Sequence, residues 1–479
     1  MIKDTELRVA FHTLGCKVNQ YETEAMKEQF KAAGASIVGE EEAADVYIIN
    51  TCTVTNLADR KSRQYIRRMK KKCPEAVVAV TGCYAQVKPD EVAALEEVDI
   101  VAGTGEKNNI ISYVQQFLEE RQQQKHIKAY DELTGYDDKG VITSMESRTR
   151  AYIKIQEGCD RFCAYCLIPF ARGHVRSRDP QEVTDEAAAL VNQGFKEIIL
   201  TGINTALYGT EDGFCYPLKD DEASAEMSGI EIIIKRINDL EGDFRIRLSS
   251  LEPTVINAGY VKRLMKYERL CPHLHLSVQS GSNHVLELMN RRYDRSEYLE
   301  IVRVLREFDP LYGITTDIIC GFPGETEEDF EDSLDMIRRV KFCKVHAFKY
   351  SRREGTAAAR MKEQVPAEVK NSRSEALIAE GEKAAAEFME SCRGAVRPVL
   401  FEEICDDTAN DDGAEDRSGA EGRSGAEGRN GAEGRNGLIT GYTDNYIKVY
   451  ARGGSEDLNS IKKVKLLERY KDGMKGEIE

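Results

Sequence analysis

The sequence GCDRFCAYC at residues 158–166 decides the fold, because it places three cysteines in one short loop behind the apolar-alternating segment 151–156. Cys159, Cys163 and Cys166 have C-x₃-C-x₂-C spacing, and three thiolates from one loop can bind three irons of a [4Fe–4S] cluster. The fourth iron is then open to a small molecule. A structural zinc ion is the alternative, but zinc needs four ligands, usually as two pairs, and no second pair follows nearby. We therefore expect an iron–sulfur loop.

The composition is that of a globular protein. The chain has 479 residues, of which 41% are hydrophobic and 31% charged, and this length suggests roughly three domains. The polar amino terminus and the lack of any apolar run approaching ~18–20 residues predict a cytoplasmic protein with no membrane partner. Thirteen cysteines, an odd number, favour metal or redox use over disulfides. The net charge of −16 argues against a nucleic-acid partner unless basic residues cluster locally.

The middle of the chain alternates strand-like and helical segments, which predicts a partial (β/α)₆ TIM-like barrel that is open on one side. The predicted strands lie near residues 151–156, 197–201, 244–249, 274–278, 314–320 and 344–350. In barrels of this kind the site is built from the segments that leave the carboxyl ends of the strands. The cysteine loop follows the first strand, so we expect the site at this rim.

Small or short polar residues follow the next three predicted strands. Gly202 and Asn204 come after the second strand, Ser249 ends the third, and Gln279 and Ser280 follow the fourth. Each such turn is by itself ordinary loop chemistry. Their position on one rim beside an iron–sulfur loop favours a bound ligand with amino-acid and ribose groups.

Three arginines, Arg172, Arg176 and Arg178, come shortly after the cysteine loop. They could contact the phosphates of a substrate, or they could cap the helix that follows. The sequence leaves both interpretations open.

The first segment carries three further cysteines, each placed one to three residues after a predicted strand. Cys16, Cys52 and Cys83 are 30 or more residues apart, so their spacing has no meaning as a local motif. Strand–helix alternation here predicts a parallel sheet, whose crevice lies beyond the carboxyl ends of its strands. Three isolated buried thiols are the alternative. We predict a second three-cysteine cluster site in that crevice.

A strongly basic helix is predicted after Cys52. Residues 60–72 contain eight Lys and Arg residues and no Asp or Glu. A helix that is merely solvated normally mixes both signs. This pattern favours a contact with a phosphate backbone.

Four motifs resemble those of the radical S-adenosylmethionine methylthiotransferases. They are LGCKVNQ at 14–20, VTGCY at 80–84, QEGC…C…C at 156–166 and DIICGFPGET at 317–326. The resemblance runs from about Val9 to Arg452. Within the family, GCKVNQ is similar to the branch that modifies N6-threonylcarbamoyladenosine at tRNA position 37. The isopentenyladenosine branch and the ribosomal-protein branch remain alternatives, and a non-catalytic iron–sulfur electron carrier is a more distant one.

The resemblance implies a domain order. The expected units are a methylthiotransferase N-terminal domain at 5–118, a linker at 119–144, a radical S-adenosylmethionine core at 145–376 and a TRAM domain at 378–467. The TRAM pattern is that of a small β-barrel, a common nucleic-acid platform. Tyr442 and Tyr446 could stack on bases there, although half-buried barrel tyrosines are commoner. Gly/Glu/Arg-rich hexads at 411–437 depart from the family pattern and are expected to be disordered.

The resemblance also implies the chemistry. Cys159, Cys163 and Cys166 would hold one [4Fe–4S] cluster, whose open iron binds S-adenosylmethionine and yields a 5′-deoxyadenosyl radical on reduction. Cys16, Cys52 and Cys83 would hold a second [4Fe–4S] cluster that binds the sulfur to be transferred, and a second S-adenosylmethionine supplies the methyl group. The expected contacts of S-adenosylmethionine are Tyr165 beside the adenine, with Gly202, Asn204, Ser249, Gln279 and Ser280.

The expected substrate is the tRNA anticodon loop at position 37, and the reductant is a low-potential donor such as flavodoxin or ferredoxin. Adenine C2 carries an unactivated C–H bond with no acidic proton for a general base. We therefore expect no catalytic residue beyond the cluster ligands.

Overall fold

The computed structural model describes residues 7–136, 149–214, 227, 229–254, 256–405 and 437–479. Its first part is a six-stranded parallel sheet in the order β2-β1-β3-β4-β5-β6. The strands are β1 Arg8–Thr13, β2 Ser36–Val38, β3 Val46–Thr51, β4 Val77–Gly82, β5 Ile100–Ala102 and β6 Gln124–His126. The helices are α1 Lys17–Ala32, α2 Asn56–Lys72, α3 Cys83–Val87, α4 Pro89–Ala93 and α5 Ile110–Glu120. This confirms the predicted parallel sheet.

The two central strands of this sheet, β3 and β4, are buried along their whole length. Alternate residues point to opposite faces, as strand geometry requires. Val46 and Ile48 pack under α1 and α5, whereas Tyr47 and Ile49 pack under α2. The strand order reverses between β1 and β3, and such a switch point opens a crevice at the carboxyl ends of the strands. The sheet extends past residue 118, because β6 pairs in parallel with β5.

The middle part contains the six parallel strands predicted from the sequence. They are β7 Arg150–Glu157, β9 Glu197–Gly202, β10 Arg245–Leu248, β11 His273–His275, β12 Gly313–Cys320 and β13 Lys344–Lys349, with the short antiparallel β8 Arg176–Ser177 beside β7. The helices are α6 Ile168–Arg172, α7 Pro180–Asn192, α8 Gly229–Asn238, α9 Ala258–Leu264, α10 Asn283–Leu288, α11 Arg295–Phe308, α12 Glu327–Val340, α13 Ala357–Arg360 and α14 Ala367–Ser391.

These six strands form two sheets that isolated bridges join into an open barrel. One sheet has the order β10-β9-β7-β8 and the other β11-β12-β13. Single bridges pair Ile246 with Leu270 and Leu251 with Leu276, so β11 follows β10 around the barrel. The apolar residues of these strands pack against the outer helices in one large core. The predicted partial (β/α)₆ barrel is confirmed.

The last part is a closed five-stranded barrel, as expected for a TRAM-like domain. Its strands pair in the order β14-β15-β16-β18-β17. They are β14 Val396–Cys405, β15 Gly437–Thr443, β16 Lys448–Gly453, β17 Ile461–Tyr470 and β18 Gly473–Ile478. The barrel includes β18, which lies beyond the expected boundary at 467. The hexads at 411–436, residues 137–144 of the expected linker and residues 145–148 of the expected core lie outside the described residues.

A buried carboxylate joins the terminal barrel to the middle part. Glu197 is fully buried and accepts hydrogen bonds from Arg245 at 2.5 Å and Arg247 at 3.0 Å. These arginines also donate to the backbone carbonyls of Tyr442 and Asp444 at 3.0 Å. Across the described residues, no helix is both long and apolar enough to cross a bilayer.

Candidate functional site

The three N-terminal cysteines meet at the switch point of the first sheet. Cys16 caps the start of α1, Cys52 follows β3, and Cys83 begins α3. Because β1, β3 and β4 are neighbours, their three loops are adjacent. The preceding glycines allow a close approach: a Cβ on Gly15 would lie 3.1 Å from the Cys52 Sγ, and one on Gly82 would lie 2.4 Å from the Thr51 carbonyl oxygen. The structure therefore brings the predicted trio together.

Asn19 ties two of these loops to each other. Its Nδ2 donates to the carbonyl oxygen of Leu14 at 2.7 Å and to that of Thr51 at 3.0 Å. Burial, together with the neighbouring Cys83 and Cys16, raises the pKa of the Cys52 thiol to about 12. The thiols are thus close enough to interact electrostatically, and binding a metal would displace their protons.

The loop at 158–166 is held by contacts with its surroundings. Gly158 has φ +74°, and a Cβ there would lie 1.6 Å from the His174 carbonyl oxygen. The Cys159 amide donates to the Gly173 carbonyl oxygen at 3.1 Å, and Phe162 adopts the left-handed conformation with φ +47°. Left-handed backbone at a non-glycine residue is strained, and such strain concentrates at functional sites.

The three thiols of this loop also affect one another. Burial, together with Cys163, raises the pKa of Cys159 to about 12. Burial and Cys163 likewise raise the pKa of Cys166 to about 12. The structure thus groups this trio as predicted.

Neither trio is arranged around a single metal ion. Within the part of the chain that the structure describes, no three His, Cys, Asp or Glu side chains are placed to hold one. The thiolates of a [4Fe–4S] cluster each bind a different iron and need not converge on one point, unlike the ligands of a zinc ion. Two three-thiol sites, one built of three adjacent loops and one of a single loop, fit clusters that leave one iron open.

A buried network that the sequence did not predict lies beside the 158–166 loop. The Glu252 carboxylate accepts hydrogen bonds from Asn204 Nδ2 at 2.8 Å, Arg161 Nε at 2.9 Å and Arg291 Nη1 at 3.0 Å. Arg291 also donates to the Tyr165 hydroxyl at 3.0 Å. Glu252 follows β10, so the strand-end rule could have identified it. Arg291 follows a helix, and no sequence pattern marked it.

Several buried polar atoms at this rim lack a hydrogen-bond partner among the described residues. They include Asn204 Oδ1, Ser249 Oγ and Arg291 Nε. A buried polar group without a partner costs about 1–3 kcal/mol, so each such group calls for an explanation. A polar ligand between the ends of β9 and β10 would supply these partners. S-adenosylmethionine, with its amino, carboxylate and ribose groups, fits this requirement.

The other residues predicted to contact S-adenosylmethionine differ in their burial, backbone conformation and hydrogen bonds. Gln279 is 8% exposed and left-handed, with φ +64°. The backbone of Gly202 lies against Gln156, where a Cβ would be 3.0 Å from the carbonyl oxygen. Ser280 is fully buried, and its hydroxyl already accepts the Ser282 amide at 3.2 Å. The Ser280 hydroxyl therefore has a structural partner, whereas Asn204 Oδ1 and Ser249 Oγ have none among the described residues.

The structure supports neither interpretation of the three arginines after the cysteine loop. Arg172 is fully buried and pairs with Glu22 and Glu157. Arg178 pairs with Glu186 on α7, and Arg176 donates to the Leu133 carbonyl oxygen at 2.6 Å. All three are buried, so they are closed to substrate phosphates.

Arg172 connects the two cysteine sites. It lies six residues after Cys166 in the chain, and its Nε donates to the Cys83 Sγ at 3.2 Å. Burial raises the pKa of the Cys83 thiol, and Arg172 and Lys107 oppose that shift. A side chain that follows the first trio closely in sequence therefore contacts a thiol of the second.

Most cations of α2 have acidic partners from other elements. Four of the acceptors are Glu91 for Arg63, Glu97 for Arg67, Glu41 for Arg68 and Asp99 for Lys70. The acidic residues that pair with the cations of α2 belong to other parts of the fold, which is why the helix sequence itself is so basic. Arg60 and Lys71 show no acidic partner among the described residues. A phosphate contact therefore remains a prediction for those two.

Tyr442 and Tyr446 pack against the middle part of the chain. Arg150 lies 4.6 Å from the Tyr442 ring centroid, and Arg247 lies 5.1 Å from that of Tyr446. Tyr446 also stacks on His273 with 4.5 Å between centroids. Because these faces are occupied, both tyrosines belong to the interface between the barrels rather than to a base-stacking surface.

Comparisons with known proteins agree with this arrangement. Residues 8–103 match the uncharacterized protein family UPF0004, and residues 153–337 match the radical SAM superfamily. The chain is similar to the threonylcarbamoyladenosine tRNA methylthiotransferase MtaB of Bacillus subtilis, with 41% identity over 96% of this chain and 93% of that protein. It is 35% identical to the tRNA-2-methylthio-N(6)-dimethylallyladenosine synthase of Clostridium novyi, over 82% of this chain and 85% of that one.

A solved structure shares the fold. The radical S-adenosylmethionine methyltransferase TsrM from Kitasatospora setae aligns with a TM-score of 0.54 and 14% identity, over 82% of this chain and 81% of that one. At that identity the likeness concerns the fold alone. The sequence matches extend over both cysteine sites and nearly the whole chain, so the protein belongs to the radical S-adenosylmethionine methylthiotransferase family.

Proposed function

We propose that this protein transfers a methylthio group to C2 of N6-threonylcarbamoyladenosine at position 37 of tRNA, using S-adenosylmethionine and two [4Fe–4S] clusters. The relative named for threonylcarbamoyladenosine is 41% identical, whereas the relative named for dimethylallyladenosine is 35% identical. The GCKVNQ sequence at 15–20 supports the same branch. A modified nucleoside is therefore the proposed substrate, rather than a ribosomal protein side chain.

One observation carries this proposal: two separate cysteine trios lie at the carboxyl ends of strands in two sheets. Arg172, which follows the first trio in the chain, contacts Cys83 of the second. An enzyme that only generates a radical needs one such site. A second site with an open iron gives a place for the sulfur that is to be transferred. The 3.2 Å contact from Arg172, six residues after Cys166, to Cys83 supports the placement of the second site next to the first.

Each cysteine trio has its own proposed role. Cys159, Cys163 and Cys166 would hold the first cluster, and Cys16, Cys52 and Cys83 the second. Bound together, such a cluster and S-adenosylmethionine supply hydrogen abstraction from an unactivated C–H bond. The protein itself would bind and orient S-adenosylmethionine and the substrate, and would exclude water from the site.

The network around Glu252 would bind S-adenosylmethionine. Glu252 fixes Asn204 and Arg291, so that Asn204 Oδ1 and Arg291 Nε face the ligand as ready donors or acceptors. Tyr165 packs edge-on against Phe322, with 6.3 Å between ring centroids, and its hydroxyl is held by Arg291. These contacts fix the orientation of Tyr165, which supports its proposed position beside the adenine.

The proposed partners follow from this chemistry. Position 37 lies in a single-stranded loop, whose base can be exposed at lower cost than in a duplex. Reduction of a low-potential cluster needs a donor such as flavodoxin or ferredoxin. Both the tRNA substrate and such a donor place the proposed activity in the cytoplasm.

The test is expression of the protein in a bacterial host that lacks its own methylthiotransferases, followed by mass spectrometry of tRNA nucleosides. We expect the 2-methylthio derivative of threonylcarbamoyladenosine to appear. Cys16→Ala and Cys159→Ala should each abolish it. Cys73→Ala is the matched control, because Cys73 lies outside both trios and bonds to the Tyr47 hydroxyl at 3.4 Å.

The same experiment separates the alternatives. A 2-methylthio group only on isopentenyladenosine would assign the protein to the other tRNA branch. No methylthiolated nucleoside, together with a mass increase on a ribosomal protein, would assign the ribosomal-protein branch. Neither product, in a host where the protein carries its iron, would contradict the proposed activity.

A further inference from the structure

Arg172 lies where the N-terminal sheet meets the open barrel, and it is fully buried. Besides the Cys83 Sγ, its guanidinium contacts Glu22 and Asn19 of α1 and Glu157 of β7. Every one of these contacts is long-range except that to Glu157. A buried arginine that donates to several fixed acceptors is held in one orientation, because its guanidinium group is planar and rigid.

The contact with Asn19 extends the reach of Arg172 to the other two cysteine loops. The same Asn19 side chain accepts from Arg172 through Oδ1 and donates through Nδ2 to the carbonyl oxygens of Leu14 and Thr51. Leu14 lies two residues before Cys16, and Thr51 directly precedes Cys52. Arg172 therefore contacts the third thiol directly and the other two loops through one amide.

We propose that Arg172 is a positioning residue for the second cysteine site, and that its N–H···S bond to Cys83 tunes the cluster held there. This inference rests on the proposed two-cluster function and assigns a role to a residue outside the ligand set. The same segment of chain carries Cys166 and Arg172, so the bond also fixes the position of the second site relative to the first.

The physical effect of the bond is on charge. A donor aimed at a thiolate withdraws electron density from the cluster and stabilises the more negative, reduced state. The reduction potential of the second cluster is therefore higher with Arg172 in place. A lysine would keep the positive charge but lose the fork that reaches the thiol, Asn19 and Glu22 together.

The test isolates the second cluster in a Cys159→Ala/Cys163→Ala/Cys166→Ala background. Reconstituted protein is titrated under anaerobic conditions while the reduced cluster is followed by electron paramagnetic resonance. With Arg172→Lys added, we expect iron to be retained, the midpoint potential to become more negative and the g-values to shift. An unchanged potential and spectrum would overturn the proposal.

Arg178→Lys is the matched control. Arg178 is also buried, follows the same loop and reaches across to the N-terminal domain, where its Nη1 donates to the Tyr21 hydroxyl at 3.2 Å. Its contacts in the described structure include no cysteine. We expect its substitution to leave the potential of the second cluster unchanged. Equal shifts for both variants would show a general effect of the interface and would contradict the specific role of Arg172.

A second measurement detects the contact directly in protein that keeps Arg172, and the Arg172→Lys variant then serves only to assign the signal. In the same three-cysteine background, protein labelled with ¹⁵N-arginine is reduced and examined by pulsed electron paramagnetic resonance. We expect a ¹⁵N hyperfine coupling that Arg178→Lys preserves and Arg172→Lys removes. If the background protein binds about four irons but shows no such coupling, the role of Arg172 is wrong while the second cluster stands. If it binds no iron, the two-cluster function itself fails.

Discussion

The Nδ2 of Asn204 donates a 2.8 Å hydrogen bond to the Oε2 of Glu252, and this contact joins the ends of β9 and β10 beside the first cysteine loop. Glu252 is 7% exposed and pairs with two arginines from other parts of the chain. One carboxylate thus orients three side chains that face the proposed ligand. Its negative charge is what holds the two arginines in place.

Replacement of this carboxylate should weaken ligand binding without removing the cluster. In Glu252→Gln the shape is kept, but Arg161 and Arg291 lose their anionic partner. Because a hydrogen bond to a charged group contributes about 1.5–3 kcal/mol, we expect affinity for S-adenosylmethionine to fall by roughly ten- to a hundredfold. Isothermal titration of the reconstituted protein measures this, with iron content determined in parallel.

Glu231→Gln serves as the control for that substitution. Glu231 is also buried and pairs with an arginine, Arg263 at 2.9 Å, but it lies on the outer helix α8. Its replacement should leave the affinity unchanged. Unaltered affinity in Glu252→Gln, or an equal loss in both variants, would contradict the role given to Glu252.

Gly82 should be required for the second cluster alone. It has φ +95°, and a Cβ would lie 2.4 Å from the Thr51 carbonyl oxygen, so alanine must push β3 and β4 apart at Cys52 and Cys83. We expect Gly82→Ala to halve the iron content, from about eight to about four per chain. Anaerobic reconstitution followed by iron and protein assays measures this.

Gly194→Ala separates the clash from the backbone strain. Gly194 has nearly the same φ, +96°, but nothing lies within 4 Å of its added Cβ. Both variants therefore place an alanine at a positive φ, which residues other than glycine rarely adopt. Only Gly82→Ala should lose iron, and full iron in both would show that the loops at Cys52 and Cys83 tolerate displacement.

At low pH, protonation of Glu197 should weaken the contact between the terminal barrel and the middle part of the chain. Burial raises the pKa of Glu197, but Arg245 and Arg247 lower it more, so that it lies well below the ordinary value of 4.5. The stabilisation is thus fully present above about pH 4.5 and is lost as pH falls below it. The free energy of unfolding should then fall by up to about 1.4 kcal/mol per pH unit from this group.

Comparison with Glu197→Gln isolates this contribution. At pH 7 the variant leaves buried arginines without their partner and should be less stable by about 3–5 kcal/mol. The difference from the wild type should shrink as pH falls below 4.5, as followed by urea unfolding with circular dichroism. Glu327→Gln, at a carboxylate that is 83% exposed, should match the wild type throughout. A difference that is independent of pH would contradict this account of Glu197.

The sequence was sufficient to predict the six strands of the middle part and the three strands of the first sheet that precede Cys16, Cys52 and Cys83, because these depend on local periodicity. It did not predict β2, β5 and β6, and the cluster-binding role of the six cysteines remains a prediction. Cys16, Cys52 and Cys83 could be brought together by one rule, that parallel strands end at the same edge of a sheet. The contact of Arg172 with Cys83 could not be predicted, because the two residues are 89 positions apart and no spacing encodes them. The partners of α2 were missed for the same reason, since Glu41 and Asp99 come from other elements.

Because only some cations of α2 have acidic partners in the described structure, the helix allows a prediction about tRNA binding. Arg60 and Lys71 are exposed and are 11 residues apart, which places them within about 20° of each other around the helix and about 16 Å apart along it. Two cations on one side of a helix, without acidic partners in the described structure, are free to contact phosphates. Arg68, in contrast, already pairs with Glu41. We expect Arg60→Gln and Lys71→Gln to weaken tRNA binding more than Arg68→Gln does.

The salt dependence of binding distinguishes a phosphate contact from an indirect effect. Each phosphate contact that is lost should reduce the slope of log affinity against log salt concentration by about 0.7–0.9, because fewer counterions are released on binding. The slope for Arg60→Gln and Lys71→Gln should therefore be shallower than that of the wild type, whereas Arg68→Gln should keep it. Filter binding of anticodon stem-loop RNA across a salt series measures these slopes. Equal slopes in all three variants would mean that α2 is basic only to pair with the protein's own acids.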